Sequence, residues 1–158
     1  MTDAASLDRR FSHLGADLLV TPFFQATEWD QLDLQTRPRG PTTREDSVDL
    51  DLAAGAGCLQ QALVLRLLTP QGSLSALAHP DYGSRLHLLI GEFNTPVTRA
   101  RAKAYVLEAL AQERRVAKVL DVTVSQPADG AQDRLLISAS VLPAKGGDAV
   151  RLGLEVAL

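Results

Sequence analysis

Aromatic residues, cysteines and long apolar runs are all scarce in this sequence. Phe, Trp and Tyr make up only 4% of its 158 residues, too few for the aromatic platforms on which single-stranded nucleic acid or sugars stack. The one cysteine, Cys58, has no partner for an internal disulfide. Arg66 and Pro22 interrupt the two best apolar stretches, so neither reaches the ~18 residues of a membrane helix. We therefore expect a soluble chain that is made in the cytoplasm and does not insert into a membrane.

A large excess of charge is also missing, since 16 Lys and Arg stand against 19 Asp and Glu, for a net charge of −3. Without an overall basic field, the chain is not expected to bind nucleic acid. The charges are unevenly placed, however. Residues 28–51 hold seven acids and three arginines, whereas residues 97–118 hold six basic and two acidic residues. The two segments have opposite net charge and could pair within one chain or between chains.

The composition of the chain changes near residue 46. Residues 1–46 mix short apolar pieces with polar stretches, and Pro38, Gly40 and Pro41 oppose regular structure. We interpret this part as an N-terminal arm with a flexible loop. Residues 47–158 form the main domain, and the chain as a whole is 46% hydrophobic, which is enough for a single core.

Periodicity and end signals predict three helices. A mostly buried helix is predicted over 58–68 and a short one over 84–93, because apolar residues recur there at helical spacing. Thr95 as N-cap and Pro96 at the first position predict a longer helix that ends near Gln112. The apolar side of the short helix consists of Leu86, Leu89 and Ile90, and the predicted inner stripe of the long helix consists of Val97, Ala100, Ala104, Leu107 and Ala111.

Alternation of apolar and polar residues predicts strands over 48–53, 116–124, 135–141 and 150–158. The buried faces are predicted to be Val48, Leu50 and Leu52 in the first strand; Val116, Leu120, Val122 and Val124 in the second; Leu135, Ile137, Ala139 and Val141 in the third; and Val150, Leu152, Leu154, Val156 and Leu158 in the last. The predicted fold class is therefore α+β. Amphipathic helices pack on a three-stranded antiparallel C-terminal meander, with residues 48–53 as a candidate extra strand.

Sites for nucleotides and metals are incomplete in this sequence. Gly55 and Gly57 follow a predicted strand and precede a helix, as in a dinucleotide-binding loop, but Gln60 stands where the third glycine belongs. A plain turn is the better interpretation. The candidate metal ligands are scattered along the chain: they are His13, His79, His87 and Cys58. We therefore predict no metal and no cofactor.

Catalytic motifs are equally weak. The chain has no G-x-S-x-G elbow and no recognisable pairing of cysteine with histidine. Asp81, Glu92, Glu108 and Glu113 could supply an acid and a base for glycoside cleavage. Any chain with 19 acidic residues offers such pairs, so we predict no catalytic residues and keep a peptidoglycan-cleaving enzyme as the alternative.

Several motifs resemble a known family. The segments are LLTPQGSL, HPDYGSRLHLLIGEFNTPVTRARAKAYVLEAL, ERRV and LDVTV. Together they are similar to the baseplate wedge and sheath-initiator family of contractile phage tails, which is also found in extracellular contractile injection systems and type VI secretion baseplates. The resemblance covers about residues 48–124, continues by pattern alone through the last two strands, and leaves residues 1–46 outside.

The resemblance implies a wedge contact. The family carries Glu-Pro-Arg where this chain has Glu113, Arg114 and Arg115, and in the family this tripeptide helps to hold the wedge core where it meets a helical bundle of larger subunits. Glu113 and Arg115 are therefore the candidates for that contact, together with Tyr82 and Arg85 of the neighbouring motif. Arg114 replaces the family proline.

The resemblance also implies a contact with the contractile sheath. Sheath subunits of these machines join through exchanged strands, and the last strand of this chain leaves an edge that can template strand addition. The candidate sheath-interface residues are Val150, Leu152, Leu154 and Val156.

The resemblance thus predicts a non-enzymatic structural protein, assembled in the cytoplasm into a phage tail or tail-like particle. Its implied partners are wedge proteins and the sheath subunit, with tube or hub proteins as further candidates. Six-fold symmetry implies about six copies per particle. Two rival hypotheses remain open: the lysozyme-like enzyme, whose name some family members carry, and a free-standing adaptor unrelated to contractile tails.

Overall fold

Two helices and seven strands make up the regular structure of residues 13–20, 34–38 and 48–158, which are the residues that the computed structural model describes. The strands are Ala16–Leu18 (β1), Thr36–Pro38 (β2), Val48–Leu50 (β3), Leu52–Ala54 (β4), Val116–Ser125 (β5), Arg134–Pro143 (β6) and Val150–Ala157 (β7). The helices are Ala56–Leu68 (α1) and Pro96–Ala111 (α2), with 3₁₀ turns at Ser75–Leu77 and Leu86–Leu89. The predicted α+β class is confirmed.

The C-terminal strands form the predicted antiparallel meander, in the order β5-β6-β7. The pairing of β6 with β7 runs without interruption from Arg134 opposite Ala157 to Val141 opposite Val150. Because side chains alternate between the two faces of a strand, one face of each strand is apolar and buried. On β6 the buried residues are Leu135, Ile137, Ala139 and Val141, and on β7 they are Val150, Leu152 and Leu154, with Val156 and Leu158 half-buried against them. The predicted faces of both strands are confirmed.

Strand β5 departs from simple alternation. Its pairing with β6 shifts register twice, between Val116 and Lys118 and between Val119 and Asp121. Each shift carries the following side chains to the opposite face. Val119 therefore packs against the core, while Leu120, predicted to be buried, is 48% exposed.

Both helices lie on one face of this sheet, where α1 packs chiefly against β7 and α2 against β5. The helix α1 contributes its buried residues Leu59, Leu63, Val64 and Leu67 to the common core, as predicted. Leu14 joins the same core from the N-terminal part of the chain.

The limits of α2 are as predicted, but its buried face is not. Thr95 caps the helix, with its Oγ1 accepting a hydrogen bond from the Thr98 amide at 3.2 Å, and Pro96 is the first helical residue. The buried residues are Thr98, Ala102, Val106, Ala109 and Leu110, whereas the stripe predicted to be inside, Val97, Ala100, Ala104, Leu107 and Ala111, is exposed. The buried residues and the predicted stripe both recur at helical spacing, and the set that is buried is the one that contains Thr98. The hydroxyl of that threonine is satisfied by the Thr95 hydroxyl at 2.9 Å.

The short helix predicted over 84–93 is a 3₁₀ turn. Leu86 and Leu89 are buried as predicted. Ile90 is exposed instead, because the chain leaves the turn there in an extended conformation with φ −61° and ψ 126°.

Residues 48–54 pair with the N-terminal part of the chain and not with the C-terminal sheet. The strand β4 pairs with β1 and β3 pairs with β2, in two separate two-stranded sheets. The prediction that residues 48–53 add a strand to the meander is therefore wrong. Val48, Leu50 and Leu52, predicted to be the buried face, are exposed, and Ala53 is buried in their place. The described parts of residues 1–46 thus pair with the segment after the predicted boundary, while Gly40 and Pro41 of the predicted loop lie outside the described residues.

Candidate functional site

Two motifs that carry the family resemblance lie side by side in the fold. The amide of Ser84 donates to the Thr69 carbonyl oxygen at 2.8 Å, and the amide of Gln71 donates to the Ser84 carbonyl oxygen at 2.8 Å. Gly83 makes this approach feasible, since it has φ +109° and a Cβ on it would lie 2.5 Å from the Thr69 carbonyl oxygen. The loop that carries Tyr82 is therefore held against the C-terminal end of α1.

That arrangement builds a half-buried ionic group, which we name the arginine–glutamate cluster: Arg66, Tyr82, Glu113 and Arg115. Glu113 stands between two cations, with Oε1 2.9 Å from Arg115 Nε and Oε2 3.5 Å from Arg66 Nη2. The side chains of Arg66 and Glu113 are both only 11% exposed. The guanidinium of Arg66 lies 4.4 Å from the centre of the Tyr82 ring, within cation–π range.

Arg115 also reaches the N-terminal part of the chain. Its Nη1 donates to the Leu14 carbonyl oxygen at 3.1 Å and lies 3.9 Å from Cys58 Sγ. Its own carbonyl oxygen accepts from the Ala144 amide at 2.8 Å. One side chain thus joins the start of the described chain, the first turn of α1 and the junction between α2 and β5.

The electrostatics of the cluster favour its charged form. Burial acts to raise the pKa of Glu113, but the hydrogen bonds from Arg115 and the positive charges of Arg115 and Arg66 outweigh it and lower that pKa. Burial raises the pKa of Tyr82, against the opposing charge of Arg66. Arg66 Nε is buried with no hydrogen-bond partner among the described residues. Glu113 is therefore a carboxylate at neutral pH, between two guanidinium groups, while Tyr82 keeps its hydroxyl proton.

Three of the four predicted wedge-interface residues meet here, namely Tyr82, Glu113 and Arg115. The fourth, Arg85, forms a separate ion pair with Glu108 of α2 and lies 4.6 Å over the centre of the Tyr105 ring. Sequence reasoning missed Arg66, although its signal was present: an arginine on the apolar side of a buried helix requires an acidic partner. Contact of these residues with a wedge protein stays a prediction.

The predicted sheath-interface residues sit on the edge strand of the sheet. Val150, Leu152 and Leu154 are buried in the core of this chain, and Val156 is half-buried against it. Their side chains therefore hold β7 in place and do not face a partner. In the part of the chain that the structure describes, β7 pairs with β6 alone, so the surface left to a sheath subunit is its main chain and its outer face. The sheath contact itself stays a prediction.

An apolar groove lies beside the C-terminal end of β7, and we name it the β7 groove. It has a volume of about 240 Å³ and is lined by Leu67, Pro70, Leu86, Ile90 and Val156, with neighbouring residues of the same segments. Side chains that approach the end of β7 on its helix side would meet this groove.

The four acidic residues considered for catalysis are placed in different ways. Glu92 pairs with Arg101, Glu108 with Arg85, and Glu113 with Arg66 and Arg115, while Asp81 is exposed. A general acid for glycoside cleavage needs a raised pKa, whereas the pKa of Glu113 is lowered. Among the described residues, no group of three His, Cys, Asp or Glu side chains is placed to hold a metal ion.

No family model matches this chain, and no curated protein sequence matches it either. A solved structure does match: a protein from Geobacter sulfurreducens described as a "putative tail lysozyme". The chain has the fold of a tail-related protein. The two sequences are 26% identical, the TM-score is 0.53, and the match covers 63% of this chain and 87% of the other.

This tail-related fold carries no membrane span in the part that the structure describes. Neither α1 nor α2 is both long enough and apolar enough to cross a bilayer.

Proposed function

We propose that this chain is a non-enzymatic baseplate component of a contractile phage tail or tail-like injection machine. It docks on wedge proteins and templates the first ring of the sheath by strand addition. The observation that carries the proposal is the edge position of β7 in a tail-related fold. A strand at the edge of a sheet presents unpaired main-chain groups to another chain.

The direction of the amides along β7 indicates which of them are unpaired within the described part of the chain. Just beyond the strand, the Leu158 amide donates to the Asp133 carbonyl oxygen at 2.7 Å, on the β6 side. Amides two residues apart point the same way in a strand, and the pairing of β7 is regular. The amides of Arg151, Gly153 and Glu155 therefore point away from β6. These outward amides form the docking line for a sheath strand, and the β7 groove lies at its C-terminal end.

The wedge contact is proposed on the surface that the arginine–glutamate cluster organises. Glu113 is largely buried and Arg115 is half-buried, whereas Arg114 between them is exposed and has no ion pair among the described residues. Arg114 stands where the family has proline, so this chain offers a charge at that point.

The partners are then a wedge protein near Arg114 and Arg85, and a sheath subunit on β7, with about six copies in a six-fold particle. Tube or hub proteins are further candidate partners.

The competing function is a peptidoglycan-cleaving enzyme, favoured by the word lysozyme in the description of the similar structure. A muramidase assay on purified cell walls separates the two functions. Turnover that disappears in one of the variants Asp81→Asn, Glu92→Gln, Glu108→Gln or Glu113→Gln would support the enzyme and contradict the structural role. A free-standing adaptor would bind neither sheath nor wedge proteins.

The deciding experiment is to purify high-molecular-weight particles from the host and to quantify this chain by mass spectrometry. A baseplate part co-sediments with sheath and tube subunits at a few copies per hundred or so sheath chains, as expected when one ring starts a long polymer. Absence of the chain from every sheath-containing particle would overturn the proposed function.

A further inference from the structure

The outer face of α2 is apolar where a surface helix is normally polar. Its centre is formed by Val97, Ala100, Ala104, Leu107 and Ala111, which are all exposed. We name these five residues the α2 stripe. The side chain of Val97, for example, is 69% exposed. A helix at the surface of a globular protein normally carries charged or polar residues on its outer side. The helix α2 instead has two apolar faces, and the described chain covers only one of them.

The spacing of the stripe indicates what kind of structure could cover it. Successive members are three, four, three and four residues apart, which is the a-and-d pattern of a heptad repeat. The stripe runs over about 21 Å of helix, at a rise of 1.5 Å per residue. Three of its five members are alanines, and small side chains let two helix backbones approach closely. A second helix is therefore the occupant that fits this face.

The charges beside the stripe indicate the character of that helix. Arg101 and Glu108 flank it on one side, and both are neutralised within the chain by Glu92 and Arg85. Lys103 flanks it on the other side, is exposed and has no ion pair among the described residues. Arg114, just beyond the end of α2, is likewise exposed and unpaired in that part of the chain. The spare charge along the stripe is thus positive.

We propose that the α2 stripe docks an amphipathic helix of a partner protein, with apolar residues at its a and d positions and acidic residues on its flanks. The apolar seam supplies the contact area, and the acidic flanks pair with Lys103 and Arg114. That the helix belongs to a wedge subunit rests on the proposed function, whereas the helix-binding face itself does not.

The test uses the purified full-length chain and two synthetic three-heptad peptides. Both peptides have Leu at a and d, and their flanking e and g positions carry either Glu or Lys. Fluorescence anisotropy should show that the Glu peptide binds at least about tenfold more tightly than the Lys peptide, with a difference that shrinks at high salt. Ala104→Glu places a charge in the centre of the stripe and should weaken binding of the Glu peptide by at least about tenfold. Lys103→Glu should weaken it as well.

The matched control is Ala128→Glu, the same change at an exposed position away from α2. It should bind like the native chain, and circular dichroism should show all variants folded. Equal binding by native chain and Ala104→Glu, or no binding at all, would overturn the proposal. Analytical sedimentation should also be run on both chains. If the native chain is a dimer and Ala104→Glu is a monomer, the stripe binds a second copy of this chain, and the proposal of a separate partner is overturned.

Particle assembly distinguishes this inference from the proposed function. If Ala104→Glu loses peptide binding yet enters particles as well as the native chain, the assignment of the helix to a wedge subunit is wrong. If the native chain binds the Glu peptide but is found in no particle, the proposed function fails and the helix-binding face stands.

Discussion

The Nε of Arg115 donates to Glu113 Oε1 at 2.9 Å, joining two side chains that are separated by a single residue. Arg114 and Arg115 are the central residues of a turn in which the Val116 amide donates to the Glu113 carbonyl oxygen at 3.0 Å, and the Arg114 side chain is exposed. The ionic pair therefore does two things at once. It anchors the junction between α2 and β5 from the inside, and it presents Arg114 to the surface.

Replacing Glu113 by Gln should destabilise the chain by about 3 kcal/mol, because Arg66 and Arg115 would keep their burial but lose their counter-charge. Urea denaturation measures the change. The matched control is Glu108→Gln, which removes an acid whose side chain is 43% exposed and should cost less than about 1 kcal/mol. Equal effects of the two substitutions would show that the buried pair contributes no more than the surface one.

The stability of the chain should fall as the solution becomes acidic. Glu113 has a folded-state pKa below its ordinary value of 4.5, so the unfolded chain binds its proton first. The stability from this group is fully present above the ordinary pKa and is lost as pH falls toward the folded one. Unfolding free energies measured at successive pH values should show this loss. The slope should be smaller in Glu113→Gln, although this variant retains Asp129, another acid with a lowered pKa.

Gly83→Ala should be more damaging than Gly91→Ala, although both glycines have positive φ. At Gly83 a Cβ would lie 2.5 Å from the Thr69 carbonyl oxygen, whereas at Gly91 nothing lies within 4 Å. Backbone strain is common to both, so the difference of about 2 kcal/mol or more reports the steric clash. Thermal unfolding of the two variants measures it. Similar melting temperatures would mean that the two motif loops separate without cost.

Gly153→Pro should block strand addition on β7, because proline removes an outward N–H and is tolerated at sheet edges. Gly153→Ala is the matched control: it keeps the N–H, and its Cβ would be 3.8 Å from the nearest heavy atom, the Ile137 carbonyl oxygen. Electron microscopy of particles should show sheath initiation lost with proline and retained with alanine.

Deleting β7 altogether would also remove Val150, Leu152 and Leu154 from the core, so a single proline is the cleaner perturbation. If Gly153→Pro does not fold, Arg151→Pro probes a second outward amide. A folded proline variant that nucleates sheath of normal length would contradict the template mechanism.

The two last strands of the meander, β6 and β7, could be predicted from sequence because they alternate strictly and pair with each other without a bulge. The start of α2 could be predicted equally well, since a threonine followed by a proline is a typical N-cap and first helical residue. These local rules placed most of the elements correctly.

The errors occur where burial depends on a distant partner. Two stripes of α2 compete for the core, and periodicity alone does not choose between Val97 and Thr98. Bulges in β5 exchanged Leu120 for Val119, and a bulge has no strong local signature. The strand partners of residues 48–54 lie 10 to 38 positions earlier in the chain, and the alternation within the strand does not specify them. In the site, the family motif identified Glu113 and Arg115, whereas the pairing of Arg66 with Glu113 is seen only in the folded structure.

The hydrogen bond from Arg115 to the Leu14 carbonyl oxygen spans 101 positions of the chain. Contacts between distant parts of a chain form late in folding, because the loop between them must close before the contact contributes. The meander relies on shorter connections, whereas α1 reaches β7 across a comparable length of chain. We therefore expect the meander to form first and the arginine–glutamate cluster to mature together with the docking of α1 on β7, so that a newly made chain offers that surface to a partner only when its core is complete.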